Sequence, residues 1–307
     1  MQNPVKRVEW PTLALIVITY LLWIFILFDP FALHPMVWII SSALTVTFFM
    51  TITHEVLHNH PTRSEFVNSL LILFPIAWSL PYERFRDTHL AHHETGELTD
   101  PFDDPESWYV PESGWTAFGK FKQTFLHFNN TIAGRMLIGP AIGLGRFYLH
   151  EAKLLFSANP QRRYLAAVWL KHIALIAIMI AAVSQFGTAP LWQWLAAVYL
   201  GHSVLLIRTF LEHQASPDHG ERTVIIEKSC PLAFLFLYNS YHFIHHDHPG
   251  VPWYRLPRMY HEHGAAFIER NGAYVYRSYG QILRKYFFKA KDPVAHPFLR
   301  REVVSAG

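Results

Sequence analysis

At 307 residues the chain could form one large domain or two small ones. It is 51% hydrophobic and 16% aromatic with only 16% charged residues, against about 25% charged in an ordinary soluble protein, so a membrane protein is the first expectation. The formal charge of +3, with no basic run interleaved with stacking aromatics, excludes a nucleic-acid partner, and the single cysteine, Cys230, excludes an internal disulfide or a thiolate cluster.

Taken in chain order, Lys6 and Arg7 precede an uncharged stretch, Thr12 to Phe28, that is as long as a membrane span and is followed by no small-residue cleavage site. It reads as a retained helix over 12–28, broken by Asp29-Pro30. A second uncharged run leads through 35–53 directly into His54, and a helix continued to His58 would exceed the roughly 30 Å hydrocarbon core. Its last turns, with His54 and His58, would therefore project beyond the bilayer on the side of Lys6 and Arg7. The apolar stretch 66–80 is short and carries Asn68 and Pro75, so it reads as re-entrant or surface-lying. A full span there would put the histidines that follow on the opposite side from His54.

From Pro81 to Arg163 the chain is polar and rich in Lys and Arg, including Arg84, Arg135 and Arg146, which marks a cytoplasmic segment. Two further spans, 165–184 and 190–207, follow with a tight turn between them, and Lys171 is placed to snorkel toward the near surface. Neither presumed outer turn, 29–35 or 185–190, contains Lys or Arg. The expected architecture is thus an all-α membrane protein, one integral-membrane domain over 1–307. It comprises two transmembrane hairpins and a cytoplasmic helical cap built from 81–163 and 208–307, with both termini inside.

Twenty histidines, close to the 26 Lys plus Arg, are more than architecture requires. They concentrate in His54-Glu-Val-Leu-His58, His89-Leu-Ala-His92-His93 and His242-Phe-Ile-His245-His246. Positions i, i+3 and i+4 share one helix face, so each cluster aims its imidazoles one way and could hold a metal. The count favours a pair of ions, while imidazole alone leaves Fe, Zn, Cu and Ni open. His34, His127, His150, His172 and His296 read as ordinary polar residues, and His60 and His248 lie near the clusters but outside the pattern. Glu55, Asp87, Glu94, Glu212 and Asp247 are candidates to accept the second ring N–H of a ligand. Asp100, Asp103 and Asp104 could orient a loop or a ligand, or form an exposed acidic turn. A zinc hydrolase would leave most of these histidines idle, and the Glu-x-x-His signature of soluble di-iron bundles is not what anchors the chain.

The order HEVLH, HLAHH, LEH, HFIHH around two apolar hairpins resembles the membrane fatty acid desaturase superfamily, which also contains hydroxylases and carotenoid ketolases. The resemblance runs from about His54 to Leu256 and includes an acidic stretch from Leu98 to Ser107 and the HPGVPWYRLP stretch from His248 to Pro257. It implies a non-haem di-iron centre with His54, His58, His89, His92, His93, His213, His242, His245 and His246 as metal ligands, and no catalytic residue beyond them. It further implies O2 as co-substrate, a lipid substrate and a bacterial inner-membrane location with a cytoplasmic active site. With no dinucleotide fingerprint and no haem-domain signature, electrons are expected from a separate ferredoxin, rubredoxin or cytochrome b5. The HEVLH box and LEHQ segment look most like fatty acyl desaturases. A lipid or carotenoid hydroxylase or ketolase is the alternative, and a non-catalytic membrane metal-binding protein a more distant one.

Overall fold

Proline and aspartate punctuate the apolar part of the chain, and the helices start and stop at them. A computed structural model describes residues 8–299; Lys6 and Arg7, used above in the charge asymmetry, lie outside the described residues, as does 300–307. Helix α1, Trp10–Phe28, has Pro11 in its first turn, where no amide is missed, and ends at Asp29 in the left-handed conformation. The Asp29 carboxylate accepts the Leu33 amide at 3.1 Å and so shapes the turn. Helix α2, Pro35–Leu57, begins at a proline behind His34, whose ring accepts the Met36 amide. Short α3, Glu65–Leu71, is followed by irregular chain, too short for a span as its composition suggests.

Next come α4, Tyr82–Glu94, α5, Glu112–Ala117, α6, Lys120–Asn129, and α7, Ile132–Phe156. Helices α8, Arg162–Phe186, and α9, Leu191–Glu212, form the second long hairpin. Short α10, Pro231–Leu235, and α11, His242–Asp247, precede α12, Leu256–Arg270, and α13, Tyr279–Tyr286. One two-residue parallel pair, Ile225–Ile226 with Val275–Tyr276, interrupts an otherwise helical fold. Four helices, α1, α2, α8 and α9, are long and apolar enough to cross a bilayer. A helix covers each of the four expected spans, and each is longer than the stretch expected. Helix α9 continues past Ile207 because Arg208 and Glu212 neutralise each other one turn apart at 2.7 Å, so their charges do not end it.

The chain falls into two compact units, 1–86 with 140–205 and 87–139 with 206–307, the termini of each beyond 8–299 lying outside the described residues. In the first unit, the hydroxyls of Ser42, Thr45, Thr47, Thr51 and Thr53 bond the carbonyls four residues back, which satisfies them within an apolar helix. Thr47 also donates to the Gly201 carbonyl at 2.9 Å. A Cβ at Gly201 would lie 2.6 Å from Val46, so only glycine lets α9 approach α2 this closely. Trp23, Trp38 and Trp78 gather around Trp194, and Trp38 donates its indole N–H to the Ile26 carbonyl.

Arg84, read above as part of a basic, cytoplasmic stretch, is buried: it holds Glu151 through two bonds of 2.9 and 2.8 Å, and Trp169 donates to the same carboxylate. In the second unit Arg135 is likewise buried, stacked 3.8 Å over Trp108. Planar, multidentate partners offset the desolvation of a guanidinium, and basic density alone does not show that burial.

Candidate metal centre

Helix periodicity places His89, His92 and His93 on one face of α4, and His242, His245 and His246 on one face of α11. His213 follows immediately on the last residue of α9, where the backbone turns extended and bridges Thr223. In the second unit these seven histidines form two groups. His92, His213, His242 and His246 bring one ring nitrogen each to within 4.8 Å of the others. His89, His93 and His245 do the same. Within the first group, Nε2 of His213 lies 3.0 Å from Nε2 of both His92 and His242. Within the second, Nε2 of His89 and His93 are 3.1 Å apart.

Three imidazole nitrogens converging at such distances form a poor hydrogen-bond set, since each carries either one proton or one lone pair. His246 adds a buried Nε2 that has no hydrogen-bond partner among the described residues. A single cation accepting all four lone pairs resolves both problems, so the donor set fits a transition metal with imidazole preference.

The outer nitrogens are held from behind. Nδ1 of His92 bonds Asp104 at 2.7 Å, Nδ1 of His89 bonds Glu106 at 2.8 Å, and Nδ1 of His242 lies 3.3 Å from the Asn239 amide oxygen. A carboxylate on Nδ1 fixes the proton there and aims the Nε2 lone pair inward. Asp104 is in turn fixed by accepting the Thr99 amide, and Asn239 by donating to Glu212. Burial works against charging His92, yet Glu106, Asp104 and Glu212 together outweigh it and raise its pKa to about 9. Burial, reinforced by neighbouring imidazoles, holds His213, His242 and His246 well below the usual range and therefore neutral.

Asp104, read above as able to orient a loop or a ligand or else to form an exposed acidic turn, is only 5% exposed and bonds His92, whereas Glu106 and Asn239 were not singled out from the sequence. The usable signal was the proline-bounded DPFDDPES stretch, stiff enough to present two carboxylates to α4. Of the carboxylates proposed from sequence, Glu212 reaches a ligand ring, 3.7 Å from His242. Glu94 is exposed, Asp87 is half-buried, and Asp247 pairs with Arg270 at 2.6 Å instead. Glu55 is buried in the last turns of α2.

In the first unit, His54 and His58 stand one turn apart near the end of α2, both buried, with ring centroids 5.1 Å apart. The wall formed by Phe49, Met50 and Thr53, the turn before His54, belongs to an apolar cavity of about 120 Å³ that also meets Trp78, His172 and His202. Lys171 pairs with Glu83 at its edge. The remaining histidines have ordinary partners: His60 with Glu9 at 2.9 Å, His202 with Ser79 at 2.7 Å, His172 with the Trp78 carbonyl, and His296 with Thr99. His127 and His150 are exposed.

Four bilayer-length helices and two groups of buried or half-buried imidazoles define a helical integral membrane protein with the means to bind metal. The family model for fatty acid desaturases matches residues 33–278, and the chain belongs to that family. It is 26% identical to an sn-1 oleoyl-lipid 12-desaturase of Arthrospira platensis, over 80% of this chain and 73% of that protein. It is 24% identical to an sn-1 acyl-lipid omega-3 desaturase (ferredoxin) of Nostoc sp. (strain 36), over 83% and 62% respectively. A beta-carotene ketolase of Paracoccus sp. (strain PC1) is 36% identical over 67 residues, a match spanning 20% of this chain and 28% of the ketolase.

Proposed function

We propose that the protein is an O2-dependent di-iron membrane oxidase that desaturates a fatty acyl chain, with electrons delivered by a separate donor such as a ferredoxin, rubredoxin or cytochrome b5. The observation that carries the reading is the pair of imidazole groups, each with a carboxylate behind at least one ring. The ligand set is the nine histidines of the sequence pattern: in the second unit His92, His213, His242 and His246 as one group and His89, His93 and His245 as the other, and in the first unit His54 and His58. When bound, the iron pair supplies reductive activation of O2 and abstraction of hydrogen from an unactivated methylene.

The chain's own residues do the rest. Asp104 and Glu106 hold the Nδ1 protons of His92 and His89, so that Nε2 is the free ligand atom. The neutral, buried state of His213, His242 and His246 leaves their lone pairs available at physiological pH. The cavity before His54 is apolar enough to take a hydrocarbon chain and exclude water from it. Membership in the family, and two matches to acyl-lipid desaturases that each cover four-fifths of the chain, support the acyl reading. The active site is assigned to the cytoplasmic face of a bacterial inner membrane, with both termini on that side, on the distribution of Lys and Arg.

The ketolase match favours a second reading, oxygenation of a carotenoid or other lipid at the same centre. Lipid profiling of a host expressing the chain distinguishes the two. New double bonds in acyl chains support desaturation; hydroxylated or ketonic lipid with unchanged acyl unsaturation overturns it. A metal-loaded protein that consumes no O2 when supplied with reductant and lipid would overturn both.

A further inference from the structure

Of the seven grouped imidazoles in the second unit, six belong to a repeated box, and the seventh, His213, does not. It is also held differently. Among the described residues Nδ1 of His213 has no hydrogen-bond partner, whereas Nδ1 of His89, His92 and His242 each has a side-chain oxygen behind it. Yet His213 occupies the centre of its group, 3.0 Å from two other ligand nitrogens. With no partner on its outer nitrogen, the ring depends on its backbone to anchor it where Nε2 can reach its neighbours.

The backbone is fixed from two sides. In the bridge to Thr223, Val224 donates to the Glu212 carbonyl and Gln214 to the Arg222 carbonyl, both at 3.1 Å, so the flanking residues are tied and the His213 carbonyl turns elsewhere. The Lys291 ammonium, almost wholly buried, takes that carbonyl. Lys291 pairs with Asp292 at 3.2 Å, Asp292 accepts the Tyr109 hydroxyl at 2.7 Å, and the same hydroxyl oxygen accepts the Ala215 amide at 3.0 Å. Asn130 anchors the assembly by accepting the Lys291 amide and donating to the Asp292 carbonyl. Residues near 109, 213 and 291 are thus closed into one ring of hydrogen bonds with His213 inside it.

We propose that Lys291, supported by Asp292 and Tyr109, is the positioning residue for His213, doing through the main chain what Asp104 and Glu106 do through the ring. A buried ammonium is costly unless paired and hydrogen-bonded, and Lys291 meets that condition with the Asp292 carboxylate and the His213 carbonyl. The inference rests on the reading of His92, His213, His242 and His246 as a metal site.

The test uses full-length protein in detergent, stripped with chelator and titrated with Co(II), whose visible bands report ligand geometry. The variants are Lys291→Met, Lys291→Arg, Tyr109→Phe and, as the reference for a lost ligand, His213→Ala. Wild-type protein should show Co(II) bands; Lys291→Met should bind about tenfold more weakly with shifted bands. Lys291→Arg, which can still donate to the carbonyl, should regain most of both. A Lys291→Met titration matching wild type in affinity and band position overturns the proposal. Where Lys291→Met does not fold, judged by circular dichroism and elution, Tyr109→Phe decides. It keeps the aromatic side chain but removes the hydroxyl that links Asp292 to Ala215, so it should still shift the bands, and an unshifted spectrum overturns the clamp. Wild-type protein that gives no Co(II) bands fails the metal-site reading itself, and the clamp falls with it.

Discussion

Buried polar groups outside the proposed ligand set and within it are satisfied in opposite ways. In the unit that carries the long hairpins, His54 and His58 apart, they pair off with each other: Arg84 with Glu151, His60 with Glu9, His202 with Ser79, and the α2 hydroxyls with their own helix. In the other unit, imidazoles face one another, 3.0–3.1 Å apart between Nε2 atoms, while carboxylates stand behind them. The same residue type is therefore structural where its polar atoms are paired and a candidate metal ligand where its inner nitrogen meets only other nitrogens. Histidine count does not separate the two cases; the partner of each nitrogen does.

Breaking the inward-facing set should have the largest effect. His213→Ala or His242→Ala removes one of four donors, and metal content measured on folded protein should fall for that group. Lipid product should drop by roughly a hundredfold or more, beyond the loss seen for supporting residues. Glu151→Leu tests the paired set. It strips the Arg84 guanidinium of its carboxylate and should cost about 3–5 kcal/mol of stability, read by thermal unfolding in detergent, while metal bound per folded molecule stays unchanged. The double variant Arg84→Met with Glu151→Leu should recover much of that loss. A fall in metal content without a fall in stability would contradict the division.

Smaller changes sharpen the comparison. Asp104→Asn leaves the shape of the site but removes the charge behind His92, and should weaken metal binding about 10–100-fold. Glu106→Gln acts on a more exposed carboxylate, side chain 34% exposed, and should weaken it less. The smallest expected signal is a proton. With its pKa raised to about 9, His92 is protonated in metal-free protein at pH 7.5 and must lose that proton to bind. Metal binding should therefore release about one proton at pH 7.5, read from the dependence of binding heat on buffer ionisation. Release should vanish as pH rises past 9, and in Asp104→Asn it should shrink even at pH 7.5.

The four spans and the helix faces of HLAHH and HFIHH were legible in the sequence because hydropathy and the 3.6-residue repeat are local properties. What stood outside that reach depends on contacts distant in sequence. Asp104 and Glu106 lie 12 and 17 residues beyond the rings they hold, on irregular chain with no period to read. Arg84 was legible as basic but not as buried, since its partner Glu151 is 67 residues away. Helix α9 outran its apolar run because an Arg208–Glu212 pair, one turn apart, lets charge continue in a helix where a lone charge would mark its end.

The four imidazoles of the central group are drawn from α4, the end of α9 and α11, so His92 emerges from the ribosome long before His242 and His246 are polymerised. On the proposed ligand set that group stays incomplete until α11 is made, so metal loading there would follow translation rather than accompany it.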